Sequence, residues 1–482
     1  MKLYELIKGV EVLETNTDMN MDISAVACDS RKVAEGSLFV AVEGFAADGN
    51  RFIPMAMEKG AVAVVTAKKP QMEIPYVLVA SDRLALAQIG TNYYHHPADK
   101  MTMIGVTGTN GKTSTTWLLK QLLERVTGKK AGLVGTMANY IGQEELATDR
   151  TTPESIELQA LFARMVDAGC AYAVMEVSSH ALMLDRVAGI QFDVAAFSNL
   201  TQDHLDFHET MEAYCDAKAI LFTQCNKAVV NGDDSWTERI LADCSAPVLR
   251  TAVHGEGDLR AENVEMLSSC VRFDAVYGKQ RVAVEVPIPG KFTVYNVLSV
   301  LGIALQLGIS LEEAAAALRE VGGVKGRVEV VPTPGKDYTI LIDYAHTPDG
   351  MENVLSSVRG FCKGRMIAVF GCGGDRDRTK RPIMAGLGVQ LADMVVFTSD
   401  NPRTEDPARI LQDLVAGVGA HKNYVVIENR MEAIRHAMDL AQKDDVIVLA
   451  GKGHETYQDI MGVKHHLDER EIVAAYLAEM EK

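Results

Sequence analysis

The sequence predicts an α/β fold in three sections: a small mixed α/β N-terminal section, a central section on a mostly parallel sheet, and a C-terminal doubly wound section of Rossmann-like type. Three observations predict it. The 482 residues are too many for one ordinary hydrophobic core. Short β-rich runs alternate with helix-patterned stretches, the signature of parallel strands joined by crossover helices. Polar clusters follow directly after those runs, where the carboxyl ends of strands gather ligands in such sheets.

In chain order, LFVAV, AVAVV and YVLVA between Leu38 and Ser81 are separated by Gly- and Pro-containing turns, which predicts a small mixed sheet. A helix-like stretch from Leu84 to Tyr94 follows and stops before Pro97, so the first section is placed at 1–98. MIGVTG, YAVMEVS and DVAAFSN are strands, with helices expected over Thr113 to Arg125 and Pro153 to Ala168. Two alternating runs around TyrGlyLysGln, between Arg260 and Pro287, predict an antiparallel hairpin that closes a central section at 99–331. From Pro332 to the end, YTILIDYA, MIAVFG, MVVFTSD, YVVIEN and DVIVLAG alternate with amphipathic stretches, giving a third section at 332–482. No internal repeat or low-complexity tract is present.

A formal net charge of −17 gives a surface that repels nucleic acid and anionic membranes, so neither is an expected partner. The eight cysteines form no CxxC pair, which argues against a zinc ribbon or disulfide scaffold and for reduced thiols in the cytoplasm. The opening MKLYELIKGVEVLE mixes acidic with apolar residues and does not read as a secretory signal. No run is long and apolar enough for a membrane span.

The strongest local signal is GlyThrAsnGlyLysThrSer at 108–114, between an apolar run and a helical pattern. Gly108 and Gly111 let the backbone curl so that the amides of Thr109, Asn110 and their neighbours point inward, and the helix N-terminus adds positive potential for a polyphosphate. Lys112 suits β- and γ-phosphates, and Thr113, followed by Ser114, offers a hydroxyl to magnesium. The strict GxxxxGK[ST] pattern wants glycine at 106, where this chain has Val106. ATP or GTP binding follows from the loop.

MIGVTGTNGKTST resembles the ATP-binding segment of the Mur ligases and of the related folylpolyglutamate synthases, which share the missing first glycine. Further segments resemble the family in the same order: DSRKV at 29–33, TTPES at 151–155, EVSSHAL at 176–182, NLTQDHLDFH at 199–208, GRVEVV at 326–331, DYAHTPDG at 343–350, GCGGDRDRTKRP at 371–382, DNPRTEDP at 400–407 and GKGHE at 451–455. The resemblance implies an ATP- and Mg2+-dependent amide ligase of peptidoglycan synthesis, cytoplasmic and monomeric, acting on a UDP-muramoyl dipeptide. DNPR is the pattern of the members that add meso-diaminopimelate.

The resemblance also assigns roles. Lys112, Glu176, His204 and Lys218 are the expected catalytic set, with Thr113, Glu176, His204 and a carbamylated Lys218 as metal ligands. Taken alone, Glu176 can also be a surface carboxylate at a strand end, while His204 is more often an ordinary partly buried histidine and Lys218 more often a snorkelling lysine. Ser30, Thr151, Thr152, Ser178 and Arg186 match residues facing the UDP precursor, the hydroxyls as donors, although TTPES also reads as a helix cap and AspSerArg as a turn. Leu184 stands where some members have Gln. Asn296, Arg327 and Asp343 match nucleotide contacts; each also fits a helix start or a surface pair, and Thr293 replaces a more usual Asn.

Diaminopimelate recognition falls to Arg376, Asp400, Asn401, Pro402, Arg403, Gly451 and Glu455. An arginine fork suits the distal carboxylate and Glu455 the distal ammonium, whereas lysine would leave Arg403 unpaired. DNPRTEDP also fits a Pro-bounded turn into a helix. A nucleotide-dependent switch or a small-molecule kinase would use the same phosphate loop but would leave the third-section residues without a task.

Overall fold

The computed structural model describes residues 1–44 and 48–480. By density of contacts the chain forms two compact units. One is Met1–Leu259 with Ser299–Ser310, and the other is Arg260–Leu298 with the chain from Leu311 onward.

The first unit begins with the strands β1 (Val12–Thr15), β2 (Ala25–Ala27), β3 (Ser37–Ala41), β4 (Ala61–Thr66) and β5 (Tyr76–Val79), in the order β1-β5-β4-β3-β2. β1 is antiparallel and the rest are parallel, so the sheet is mixed as expected. Alternation along β3 sends Leu38 and Val40 to one core and Phe39 and Ala41 to another, which buries both faces.

The same unit continues with β6 (Thr102–Thr107), β7 (Lys130–Val134), β8 (Asn139–Ile141), β9 (Glu144–Leu146), β10 (Cys170–Glu176), β11 (Val194–Phe197), β12 (Ala228–Asn231) and β13 (Val248–Ala252). Their order is β13-β12-β11-β6-β10-β7-β8-β9, parallel except for the β7–β8–β9 turns. β6 sits between β10 and β11, so the segments after Thr107, Glu176 and Phe197 leave one edge of the sheet side by side. The helices Lys112–Thr127 and Ser155–Asp167 occupy the expected stretches. The hydroxyls of TTPES do not cap the second one: its N-cap is Glu154, with no side-chain cap bond. The hydroxyls before it are engaged elsewhere.

The second unit opens with β14 (Leu259–Met266), β15 (Val271–Tyr277) and β16 (Gln280–Val286), where Tyr277 pairs with Gln280 across the expected hairpin turn. By density of contacts residues 260–298 are counted with this unit. Its main sheet holds β17 (Glu329–Val331), β18 (Thr339–Asp343), β19 (Met366–Phe370), β20 (Met394–Phe397), β21 (Tyr424–Val426) and β22 (Val446–Ala450), ordered β17-β18-β22-β19-β20-β21 and parallel apart from β17. A last hairpin joins β23 (Tyr457–Ile460) to β24 (Val463–His466).

Double winding is visible in the burial. Leu341, Ala368, Phe370 and Val448 face the helices Pro348–Arg359, Lys380–Leu391 and Pro407–Val415, while Ile340, Ile342, Ile367 and Leu449 face Arg430–Leu440 and Glu469–Met480. Arg381, fully buried, ties two of these helices to the loop after β20: it donates to Glu405 at 2.7 and 3.0 Å and to Asp413 at 2.9 Å. The guanidinium holds the Glu405 carboxyl down to about 2, from an ordinary 4.5.

A carboxyl lowered in the folded state contributes stability that is complete above its unfolded value and is lost as pH falls through the folded one. Melting temperature should therefore drop between pH 4.5 and about 2. In Arg381→Met that dependence should flatten, as calorimetry across the window would read.

Candidate functional site

In the first unit, the turn after β6 is shaped by Gly108 (φ +144°) and Gly111 (φ +86°), and Gly111 is the N-cap of the helix Lys112–Thr127. A Cβ at Gly108 would lie 2.0 Å from Ser198 Oγ, so no other residue fits there without displacing the segment after β11. That segment staples the turn. The Asn199 carbonyl accepts from the Thr109 amide at 2.8 Å, Asn199 Oδ1 accepts from the Asn110 amide at 3.0 Å, and Ser198 Oγ donates to the Asn110 carbonyl at 2.6 Å. Ser114 lies in the first helical turn.

Lys112 curls back over the turn, its Nζ donating to the carbonyls of Gly108 and Thr109 at 2.8 Å each. Burial lowers its proton affinity, while Glu176 and Asp203 oppose the shift. Lys218, on the helix Met211–Thr223, is 1% exposed and donates to the same Gly108 carbonyl at 2.9 Å. Its Nζ lies 4.5 Å from the centre of the Tyr214 ring, whose hydroxyl bonds Thr109 Oγ1 at 3.2 Å. Burial, reinforced by the charge of Lys112, pushes the Lys218 ammonium well below its usual range. This lysine does not snorkel; its nitrogen is aimed inward.

Glu176, 1% exposed at the end of β10, is likewise no surface carboxylate. It accepts from Thr113 Oγ1 at 3.1 Å and from Thr136 twice, through the amide and the hydroxyl, both at 2.9 Å. Thr136 was not singled out by the sequence; its only signal is a polar residue just past the end of β7. His204 is exposed rather than partly buried, has left-handed backbone (φ +52°), and its Nε2 lies 3.4 Å from Asp203. Its ring stacks edge-on to His180 at 4.9 Å. Of the four expected metal ligands, the structure joins Thr113 to Glu176 directly and bonds Lys218 to the Gly108 carbonyl of the turn. His204 makes no bond to them, and among the described residues no three His, Cys, Asp or Glu side chains form a metal cluster.

The expected precursor contacts split. Thr152 donates to the Glu176 carbonyl at 2.8 Å and accepts from the Ser178 amide at 3.2 Å; Thr151 Oγ1 meets Thr136 Oγ1 at 3.0 Å. Ser178 caps the helix Ser179–Met183. Arg186 lies 2.6 Å from Glu154 and donates to the Thr152 carbonyl at 3.1 Å. These four residues therefore adjoin the Glu176 cluster. Ser30, by contrast, is buried in the N-terminal sheet's own turn, capped by Asp29, and donates to Met55 Sδ at 3.5 Å. Leu184 donates its amide to the His180 carbonyl at 2.9 Å and accepts from Arg83 through its own carbonyl at 3.5 Å.

In the second unit, Asn296 is buried within the helix Lys291–Gln306 rather than at its start. Thr293 donates back to the Pro289 carbonyl at 2.9 Å. Asp343, at the end of β18, is buried rather than part of a surface pair and accepts from the amides of Val328 and Ala345 at 2.8 Å each; burial raises its carboxyl. Arg327 lies over the Tyr344 ring at 5.5 Å.

The loops after β20 and β22 form one bonded cluster. Asn401 Nδ2 donates to Glu455 at 2.8 Å, and its Oδ1 accepts from Lys452 Nζ at 3.1 Å and from the Asp459 amide at 2.9 Å. Asp400 is buried, with its carbonyl accepting from Gln458 at 2.7 Å. Pro402 is buried too. Arg403 has left-handed backbone (φ +50°), held on both sides by the last hairpin: its amide donates to Asp459 and its carbonyl accepts from the Met461 amide. Its Nη1 donates to the Gly374 carbonyl at 2.7 Å. Gly451 (φ +109°) would put a Cβ 2.6 Å from Asp400 Oδ2. Asp406 caps the helix Pro407–Val415, so DNPRTEDP is also the predicted turn. Arg376 stands apart, exposed and bonded only weakly to the neighbouring Asp375 carbonyl at 3.4 Å. The sequence missed Lys452, Gln458 and Arg430.

Three family models match the chain: the Mur ligase family catalytic domain over residues 22–96, the Mur ligase middle domain over 106–304, and the Mur ligase glutamate ligase domain over 326–453. A Clostridium acetobutylicum protein named UDP-N-acetylmuramoyl-L-alanyl-D-glutamate--2,6-diaminopimelate ligase 1 is 48% identical across the whole of both chains. A Bacillus cereus ligase of the same activity is 44% identical over 98% of this chain and 97% of its own. A solved structure of a ligase of that name superposes with a TM-score of 0.79 at 30% identity, covering 100% of this chain and 99% of the other.

Because Glu176 is buried, losing one of its donors leaves a carboxylate short of a partner. Thr136→Val should cost about 1–3 kcal/mol in urea unfolding, and should weaken nucleotide binding measured by calorimetry.

Proposed function

This chain belongs to the Mur ligase family, and from that premise we propose that it joins 2,6-diaminopimelate to UDP-N-acetylmuramoyl-L-alanyl-D-glutamate at the expense of ATP, in peptidoglycan synthesis. The observation that carries the reading is full-length identity of 42–48% to curated ligases of that activity. The three-part division at 1–98, 99–331 and 332–482, with precursor, nucleotide and amino-acid roles in that order, is part of the proposal. So are action as a single chain and a cytoplasmic site, which the eight free cysteines support. No helix among the described residues is long and apolar enough to cross a membrane.

A carboxylate is a poor electrophile. Transfer of the γ-phosphoryl group to the D-glutamyl carboxylate releases ADP and leaves an acyl phosphate. The amine of diaminopimelate then attacks the carbonyl carbon, a C–N bond forms, phosphate leaves with the C–O bond, and the amine loses a proton. Lys112, already half enclosed by its own turn, would exchange the carbonyls of Gly108 and Thr109 for phosphate oxygens. The inward amides of that turn and the helix N-terminus behind it hold negative charge that builds up on the transferring group.

The oxygen donors of Thr113 and Glu176, 3.1 Å apart, suit a hard cation such as Mg2+. Bound there, Mg2+ would neutralise phosphate charge. Lys218 supports a further ligand: burial and the charge of Lys112 lower its proton affinity, and its neutral form could bond the carbon of CO2, lose a proton, and become an anionic carbamate. Exposed His204 would have to turn toward the phosphate loop to serve. Asn296, Arg327 and Asp343 are proposed for adenine, phosphate and ribose, and Ser30, Thr151, Thr152, Ser178 and Arg186 for the UDP precursor. Arg403 and Glu455 would take the distal carboxylate and ammonium of the diamino acid, with Asp400, Asn401, Pro402, Gly451 and Arg376 around them.

Phosphate release should require ATP, the muramoyl dipeptide and diaminopimelate together, and ATP turnover independent of the amine would overturn the reading. Lys112→Ala should abolish release. Arg403→Ala should raise KM for diaminopimelate roughly tenfold to a hundredfold, leaving KM for ATP in place.

A further inference from the structure

Lys452 has the least solvent access of any charged group in the loops after β20 and β22: its side chain is 0% exposed. Its ammonium lies 3.1 Å from Glu455 Oε2 and 3.1 Å from Asn401 Oδ1, with the Tyr457 ring 5.6 Å away. Asn401 Nδ2 donates to the same Glu455 oxygen at 2.8 Å, so Lys452, Asn401 and Glu455 form a closed ring of contacts. The amide of Asn401 cannot be reversed, because its oxygen also receives the Asp459 amide. Beneath them, fully buried Arg430 donates to Glu469 at 2.9 Å and to the Ala450 carbonyl at 2.8 Å, and approaches Asp400 at 3.9 Å. The inner layer therefore sets Asp400, Glu455 and Glu469 against Arg430, Lys452 and the half-buried Arg403, three charges of each sign.

We propose that Lys452 is a specificity-determining residue: its resident ammonium repels a substrate side chain that ends in a bare ammonium and favours one that ends in a zwitterion. The inference rests on the proposal that Asp400–Arg403 and Glu455 receive the incoming diamino acid. Glu455 alone would attract any amine. With Lys452 on its inner oxygen, a second ammonium arriving at that carboxylate meets a like charge in a buried setting, where such encounters are costly. A zwitterionic end brings its own carboxylate, which pairs with Arg403 and offsets both ammonium groups. The balanced inner layer is thus matched to a neutral, doubly charged end and mismatched to a cationic one.

The test uses the full chain with ATP and the muramoyl dipeptide, and compares kcat/KM for diaminopimelate and for lysine. Lys452→Met should lower the diaminopimelate-to-lysine ratio by at least about tenfold. The change should lie in KM for the amines, with KM for ATP and for the muramoyl dipeptide unchanged. Lys452→Arg, which keeps the charge, should keep the wild-type preference. If Lys452→Met does not fold, Lys452→Gln is held to the same criteria. An unaltered ratio, or a parallel rise in all three KM values with a lower melting temperature, would overturn the proposal. A wild-type protein that uses neither amine would bring down the ligase reading itself, and this inference with it.

Discussion

Two lysine nitrogens meet at one carbonyl oxygen, that of Gly108, and the arrangement around it depends on keeping that crowded charge tolerable. Among the described residues neither ammonium has a carboxylate in direct contact. Each is instead held by backbone oxygens, with Glu176 acting on Lys112 only through space. Such a site is poised rather than satisfied: burial and mutual repulsion both press Lys218 toward its neutral form. The same electrostatic pressure lowers the proton affinity of both nitrogens, that of Lys218 further through the charge of Lys112.

The geometry behind it comes from strand order. β6 lies between β10 and β11, so three successive polar segments emerge together: the glycine turn, Glu176, and the Ser198–Asn199 staple. In the other unit, β22 lies between β18 and β19, which brings the Gly451–Glu455 loop beside Asp343 and beside the loop after β20. In both units, side chains far apart in sequence become neighbours because parallel strands deliver their carboxyl ends to one edge.

The sequence disclosed the strands and most helices because apolar periodicity is a local property, and it disclosed the glycine turn because the spacing of Gly108, Gly111 and Lys112 has few other uses. Helix caps were less legible. TTPES offers good capping residues, yet Thr152 is drawn to the Glu176 carbonyl and the Ser178 amide instead, a tertiary competition that no local pattern encodes. Burial of charge was illegible for the same reason. Glu176, Asp343 and Lys218 sit in sequences equally compatible with solvent, and only the assembled sheets enclose them. Lys452 and Arg430 escaped notice because a lone basic residue just after a strand or at a helix start is ordinarily a surface feature.

The Thr136 hydroxyl has a single hydrogen, and it points to Glu176. Its 3.0 Å contact with Thr151 must then run the other way, with Thr151 as the giver. Thr151 accordingly shows any visitor lone pairs alone, the reverse of the donor role its sequence context suggested. The direction of hydrogen-bonding along this short chain is set by Glu176, which accepts at its far end. Should that acid swing to a cation, the polarity of the whole chain becomes free to invert, and a molecule resting against Thr151 would find a proton offered where there had been none.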